Sequence, residues 1–489
     1  MLIELRQNSY RFNADPTLVI PLFRQLPSDE YVRIIKSIVD LSEKEVEEVL
    51  AVVVRSLPGR YRNITSLFEE HFNNITSYFD EAGIDPDALS ASRKTLLGAA
   101  FTFDFPVEAA GLFSPSVVLH PDQTELNSGE QRLIFVLRAI GPGHKSSLVF
   151  RSGVIDRNNE FIPDPGGKLL SAGEVTLPET FKKERFIRKL QCLNGKYNEQ
   201  LYTHLSSQLH ETFTTDHLRS GLEVMAENPN VPPSFITEVE QALETGFSLD
   251  FSIDAGLNEK VIYPFAKAEK KGYKNPVMVR LNHSTEGPCY AGTCIADSGS
   301  GLRFKIFTTS DFYHFEFSNL LPEDDQITHL ALFPEKFDGK YFMLGSKRNG
   351  IYLASSPDLM HWGNFQCIYE AQHAWELVKI SHSGAPLLLP EGWLVITQGT
   401  GPGGKTTLSA LLLDRENPGK VIAMLKEPLL TSTHGEGLLQ FGLVSGGAII
   451  HNDTLIIPYS ISRFSSTYAE ISLSTLLSHM VKSAELKNN

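Results

Sequence analysis

A turn-and-strand segment recurs in this chain at the spacing of a small β-meander, and it limits the fold more than any other feature. Ser310-Asp311-Phe312-Tyr313-His314-Phe315 is echoed by Pro357-Asp358-Leu359-Met360-His361-Trp362, an offset of 47 residues from 311 to 358. The second copy closes the stretch Leu330–Trp362, which reads as one unit. Strands are expected at Leu330–Phe333, Tyr341–Leu344 and Ile351–Ala354, separated by Asp338-Gly339 and by the polar Lys347–Gly350, with Ser355-Ser356-Pro357-Asp358 at the end. A lone meander cannot bury both of its faces, so units repeated at this period stack around an axis. Weaker echoes join Asp338-Gly339-Lys340-Tyr341, Glu391-Gly392-Trp393 and Asn452-Asp453-Thr454, each a turn feeding an apolar strand. Counting these units predicts a mainly β chain, a five-bladed β-propeller whose last blade lies near Gly447–Leu473.

Two stretches break the strand texture. The first hundred residues read as helical: Ser42 and Glu45 form a capping-box pair, and Val46, Val49, Leu50, Val53 and Val54 follow at helical spacing. A second helix is expected through Ile64, Leu67, Phe68, Phe72, Ile75 and Phe79. From about Phe101 the runs Ser116–Leu119, Leu133–Leu137 and Ser147–Phe150 are β-rich, and between about 178 and 247 the pattern returns to helix. The expected division is therefore a helical extension over 1–100 and a propeller over 101–489 with a helical insertion.

Charge and cysteine usage exclude several functions. A net charge of −14 argues against nucleic acid or an anionic membrane as a partner, because both require a basic footprint. The start of the chain has no secretory pattern and no apolar run suits a bilayer, so a cytoplasmic location is expected. Cys192, Cys289, Cys294 and Cys367 show no CxxC spacing, which leaves no expectation of a metal, a cofactor or a redox motif.

Several motifs invite chemistry. Gly399–Thr406 satisfies G-x-x-x-x-G-K-[ST], but a phosphate-binding loop needs a helix behind it. Leu408–Leu413 instead resembles another strand, so the motif reads as a glycine-rich loop between strands. Propeller sites form where loops and inner strands converge, and carboxylates there suit glycoside chemistry; Asp104, Glu108, Asp122, Asp325, Glu376 and Glu436 occupy candidate loops. Arg138, His144 and Arg151 could bind an anion or sugar hydroxyls, or could anchor loops. Trp375-Glu376 could pair a sugar-stacking ring with a hydroxyl acceptor, or could belong to the core.

A resemblance rests on Phe333-Pro334-Glu335-Lys336 with Gly339-Lys340-Tyr341, Ser356-Pro357-Asp358-Leu359 with His361-Trp362-Gly363, Gly392-Trp393-Leu394 and Lys426-Glu427-Pro428. Together these resemble glycoside hydrolase family 130, which contains β-mannoside phosphorylases and β-mannosidases on a five-bladed propeller. His120-Pro121-Asp122-Gln123 and the stretch from Arg138 to Asp156 resemble a subgroup with a helical N-terminal extension. The resemblance implies substrate-binding roles for Asp122, Gln123, Arg138, His144, Arg151, Trp375, Gln398, Tyr459 and Arg463.

The departures point the other way. The family opens its second blade with Glu-Asp-Pro-Arg, whose aspartate is the proton donor, where this chain has Lys274-Asn275-Pro276-Val277. Asparagine can hydrogen-bond a hydroxyl but supplies no proton. Gln398 replaces a usual histidine, Gly345-Ser346 a usual arginine, and Arg463 a usual aspartate, which disfavours phosphorolysis. The expectation is a carbohydrate-active protein acting on a β-mannoside with altered acid–base groups, Asn275 at the acid position and Glu376, Glu436 or Asp325 as substitutes. The alternative is a pseudoenzyme that binds a mannoside or sugar phosphate. An oligosaccharide or sugar is the expected ligand, inorganic phosphate a second one if phosphorolysis survives, and a homo-oligomer stays open.

Overall fold

The computed structural model describes residues 5–482 except 57–62, 185, 188–189, 191–198, 244–245, 267–268, 283–288, 300, 325, 348, 433–441 and 462–464. The described chain is mainly β. Five antiparallel meanders follow one another. The first runs through Gly111–Leu119, Gln131–Ile140, Ser146–Ile155 and Phe161–Pro163, and the second through Gly272–Leu281, Cys289–Asp297, Leu302–Thr309 and His314–Pro322. The third has Thr328–Leu332, Tyr341–Lys347, Gly350–Ser356 and His361–Glu370, matching the strands expected between Leu330 and Trp362 and adding a fourth. The fourth is built on Lys379–His382, Gly392–Thr400, Thr406–Leu413 and Val421–Leu425, and the fifth on Ile449–His451, Thr454–Ile461 and Ser465–Ser472.

The sequence repeat is a repeated turn. The Asp311 carboxylate accepts from the Tyr313 and His314 N–H groups at 2.8 and 2.9 Å, and Asp358 accepts from Met360 and His361 at 3.0 Å each. Between them Phe312 and Leu359 adopt the same left-handed backbone, φ 62° and 66°. The carboxylate satisfies the N–H groups of a turn that could not otherwise hold a bulky left-handed residue.

Helices fill most of 28–100, from Ser28–Val39 to Ala91–Ala100, and their apolar faces form a separate core around Phe72, Phe79 and Phe101. The capping box is present: Glu45 Oε2 accepts from the Ser42 N–H at 2.8 Å. Two expectations need correction. Residues 6–7 and 19–23 are strands, the first pairing Arg6 with Glu470 of the fifth meander and the second pairing with Thr102–Pro106. Along Glu43–Ser56, Val46 is buried while Val49 and Val54 are 44% and 48% exposed, so the inward stripe is narrower than the valine run suggests. The insertion contains Glu199–Gln208, Thr215–Ala226 and Pro233–Leu243 around a core of its own that includes Leu205, Phe213 and Phe235.

The glycine-rich motif joins two strands. Gly392–Thr400 pairs with Thr406–Leu413 as far as Thr400 opposite Thr406, leaving Gly401–Lys405 as the hairpin loop. The first meander has the same loop at Gly141–Lys145. In both, the first glycine N–H donates to the lysine carbonyl at 2.9 Å, and Gly143 and Gly403 are left-handed at φ 66° and 73°.

The leading strands of three meanders carry a bulge at a left-handed residue: Ser114 (φ 53°), Asn275 (φ 49°) and His329 (φ 52°). Bulges of this kind turn a side chain out of the ladder. Near them, successive meanders are hydrogen-bonded to one another. Ser116 Oγ accepts from the Met278 N–H at 2.9 Å and donates to Gly446 O at 3.0 Å, joining the first meander to the second and to the approach of the fifth. Thr293 Oγ1 donates to Leu330 O at 2.5 Å, His382 N–H to Ser346 Oγ at 3.3 Å, and Ser383 Oγ to Ser445 O at 2.6 Å. Gly384 (φ 87°) belongs here of necessity, since a Cβ on it would lie 2.0 Å from the Gly447 Cα.

Candidate functional site

The three bulges open onto one cavity of about 220 Å³, to which the fourth meander adds His382, Gly384 and Gln398 and the approach to the fifth adds Val444–Gly446. Its polar groups are the hydroxyls of Ser114 and Ser445, the amides of Asn275 and Gln398, and the imidazoles of His329 and His382. Asn275 is half-buried at the left-handed bulge, a backbone geometry asparagine adopts more readily than most residues. Gln398 is fixed through its backbone, opposite Ser381 in the ladder.

His382 is 3% exposed, with Nε2 at 3.0 Å from the His329 carbonyl oxygen. That oxygen can only accept, so Nε2 carries the proton and Nδ1 is the acceptor in the neutral ring. Burial, opposed by the backbone hydrogen bonds to His329 and Gly384 and helped by the Lys379 charge, brings the His382 pKa down to about 4. Burial likewise brings His329 to about 3, with Lys379 and His382 contributing. Both rings are therefore neutral at physiological pH. Among the described lining residues there is no carboxylate, lysine or arginine. Such a lining can exchange hydrogen bonds with hydroxyl groups. It holds no carboxylic acid to protonate a glycosidic oxygen and no guanidinium to clamp an anion.

The other expected site residues are scattered. Glu376 is 2% exposed and outside the cavity lining; its Oε2 accepts from Tyr369 Oη at 2.8 Å and from the Gln372 N–H at 3.1 Å, anchoring the loop before Lys379. Trp375 in that loop stacks on His373 with ring centroids 4.4 Å apart. Arg138 lies over the Phe113 ring, and Arg151 is paired with the buried Glu108 carboxylate. Asp122 accepts from Thr124, and Gln123 bridges the His120 and Arg132 carbonyls, both in an exposed turn. His144 is exposed, and Tyr459 is 3% exposed within a hydrophobic core. Asp325, Glu436 and Arg463 lie outside the described residues. Of the thirteen, Asn275 and Gln398 line the cavity.

Sequence reasoning missed Ser114, His329, His382 and Ser445. A signal existed. The leading strand of each unit is interrupted by small or polar residues, as in Phe113-Ser114-Pro115-Ser116, Lys274-Asn275-Pro276, Thr328-His329 and Ser381-His382-Ser383-Gly384.

Comparison with known proteins decides the lineage. Residues 257–476 match the glycoside hydrolase 130 family, described as β-1,4-mannooligosaccharide phosphorylase. That part of the chain is similar to glycoside hydrolase family 130. The chain is 29% identical over 213 residues to the 1,2-β-oligomannan phosphorylase of Thermoanaerobacter sp. (strain X514), covering 42% of this chain and 69% of that one. It is 27% identical over 234 residues to the β-1,2-mannobiose phosphorylase of Listeria innocua, covering 45% of this chain and 64% of the relative. The solved complex of a Listeria innocua β-1,2-mannobiose phosphorylase with β-1,2-mannobiose superposes with TM-score 0.46 at 19% identity, over 77% of this chain and 92% of that one. Asn275, at the position where the resemblance puts the family's acid, lines the cavity.

Proposed function

We propose that this family 130 chain binds a neutral β-mannoside in its central cavity and lacks the family's acid-dependent cleavage. The observation that carries the reading is Asn275 in a lining whose described polar groups are all uncharged. The relatives named above are phosphorylases of β-mannosides, which favours a mannoside over other neutral sugars. The same reading takes the five meanders as blades of a closed propeller, with residues 1–100 as an extension. The Ser116, Thr293, His382 and Ser383 hydrogen bonds, which run from each meander to the next and back to the first, support it.

One observation favours a second reading, an active glycosidase with a relocated carboxylate. The segment containing Glu436 leaves at Ser432, which donates to Thr406 O at 2.9 Å, and returns at Leu443, which donates to Thr406 Oγ1 at 2.7 Å. The next residue, Val444, lines the cavity.

The test incubates the purified protein with β-1,2- and β-1,4-mannobiose, with and without phosphate, while thermal stabilisation is measured separately. Stabilisation without turnover is expected, and Asn275→Ala should weaken it by about tenfold, the range for one lost hydrogen bond to a buried partner. Turnover that disappears in Glu436→Gln would establish the second reading. No shift in melting temperature with either sugar would remove the mannoside reading altogether.

A further inference from the structure

A second site lies at the seam of the first and second meanders and shares no residue with the cavity lining. The loop Gly141–Lys145 ends in a half-buried lysine whose Nζ sits 5.0 Å from the centre of the Tyr263 ring. Lys271 reaches over the same loop, its Nζ donating to Gly143 O at 3.4 Å. The two lysines are locked in register: Ser146, next to Lys145, donates its N–H to the Lys271 carbonyl at 3.1 Å and its hydroxyl to the Tyr273 carbonyl at 2.8 Å. Lys270 packs beside Lys271 against Gly299.

Among the described residues, no carboxylate ion-pairs with Lys145, Lys270 or Lys271. The nearby acids are engaged, Asp297 by Lys274 at 2.5 Å and Glu269 by Lys305 at 2.8 Å. Burial and then the neighbouring Lys271 charge hold the Lys145 pKa below its usual range, the signature of a cation lacking a counter-ion. A chain of net charge −14 has ample acid to neutralise such a cluster, yet none of the described carboxylates does so. The turn beside it carries left-handed Gly143 and His144, and turns of this kind present backbone N–H groups to anions.

The chain supplies its own control. The loop Gly401–Lys405 repeats the backbone, but Lys405 is exposed and the loop rests on Trp375, where a Cβ on Gly401 would lie 3.0 Å from the Trp375 Cα. We propose that Lys145 and Lys271, with the Gly141–Lys145 turn, bind a tetrahedral oxyanion, a phosphate or sulfate, either as the free ion or as the ester group of a larger ligand. A dianion matches two adjacent ammonium groups better than a carboxylate does.

The test follows melting temperature during titration with sodium phosphate, sodium sulfate, glycerol 2-phosphate and, at matched ionic strength, sodium chloride. Phosphate and sulfate should give a saturable rise that chloride does not. The Lys145→Met/Lys271→Met double variant should need at least tenfold more phosphate, while Lys405→Met responds like the wild type. If the double variant folds poorly, Lys145→Arg/Lys271→Arg keeps the charges and should retain the response. A response to glycerol 2-phosphate supports a site open to esters, and one to inorganic ions alone supports a free-ion site. Equal responses from the double variant and the wild type, or a chloride shift equal to that of phosphate, would overturn the proposal.

Discussion

His382 is kept uncharged by the position that makes it useful: a nearly buried ring beside a carbonyl oxygen and within reach of the Lys379 charge. Its folded pKa lies near 4 against an ordinary 6.5, so the unfolded chain binds the extra proton first. The sign follows. The neutral ring's contribution to stability is whole above about pH 6.5 and is lost as the pH falls toward 4, to the extent of roughly 3 kcal/mol for this one group. Urea midpoints measured across that range should fall with pH, and His382→Gln should flatten part of the slope; an unchanged slope would show that the ring binds its proton equally in the folded and unfolded chain. Ser116 makes a second residue-scale case, since its hydroxyl both accepts and donates between meanders at 0% exposure. Ser116→Ala should cost about 1–3 kcal/mol in denaturant unfolding, because a buried N–H and a buried carbonyl lose their partner together. The sequence marks both stretches as interrupted strands, but not which way these two side chains face. A histidine or serine in an apolar strand gives no sign of which way it faces until a bulge reverses the alternation, as happens at Ser114, Asn275 and His329.

Elements were far easier to read than sites. The strands between Leu330 and Trp362 announce themselves through alternation and the Asp338-Gly339 turn, both of whose residues are left-handed, φ 48° and 76°. The Asp311 and Asp358 turns are legible for the same reason: local hydrogen bonds fix them, and local sequence encodes local hydrogen bonds. The helix Glu43–Ser56 was legible in its start but not in its face. Four valines at helical spacing do not reveal that the buried stripe follows Val46 and the half-buried Leu50 and Val53, because the packing partner chooses the stripe. The insertion carries a prediction of its own. Its apolar residues cluster with each other, so loosening them should not loosen the meanders. Leu205→Ala, at a site with 0% exposure, should destabilise the insertion by about 2–5 kcal/mol. Hydrogen exchange should show faster amide exchange within 199–243 and unchanged protection in Gln131–Ile140; a uniform loss would mean that the cores unfold as one.

Across the whole molecule, the family resemblance was legible because the apolar strands and turns that carry it are the parts that packing preserves. The chemistry was less legible, since it depends on which of many polar residues several distant strands bring together. The cavity is assembled from positions as far apart as Ser114 and Gly446, a separation over which no local pattern carries information. Pairing of an early strand with the fifth meander is a further whole-molecule feature. Arg6 pairs with Glu470 and Phe12 with Ser466, and Arg11 reaches Thr467 Oγ1 at 2.7 Å. Removal of residues 1–12 should lower the melting temperature and expose the edge Ser465–Ser472 to exchange, with little change in the third meander; protection of that edge without the segment would show the pairing to be dispensable.

That pairing also sets an order of events during synthesis. The strand at Arg6–Gln7 leaves the ribosome well before its partner at Glu470 is made. At roughly 5–20 residues per second, the early strand waits for tens of seconds before it can be paired. Through that interval the growing chain holds an unpaired sheet edge at the fifth meander. Because Arg6–Gln7 pairs with Ser465–Ser472, the fifth sheet is complete only after that distant strand is translated, however early the other meanders form.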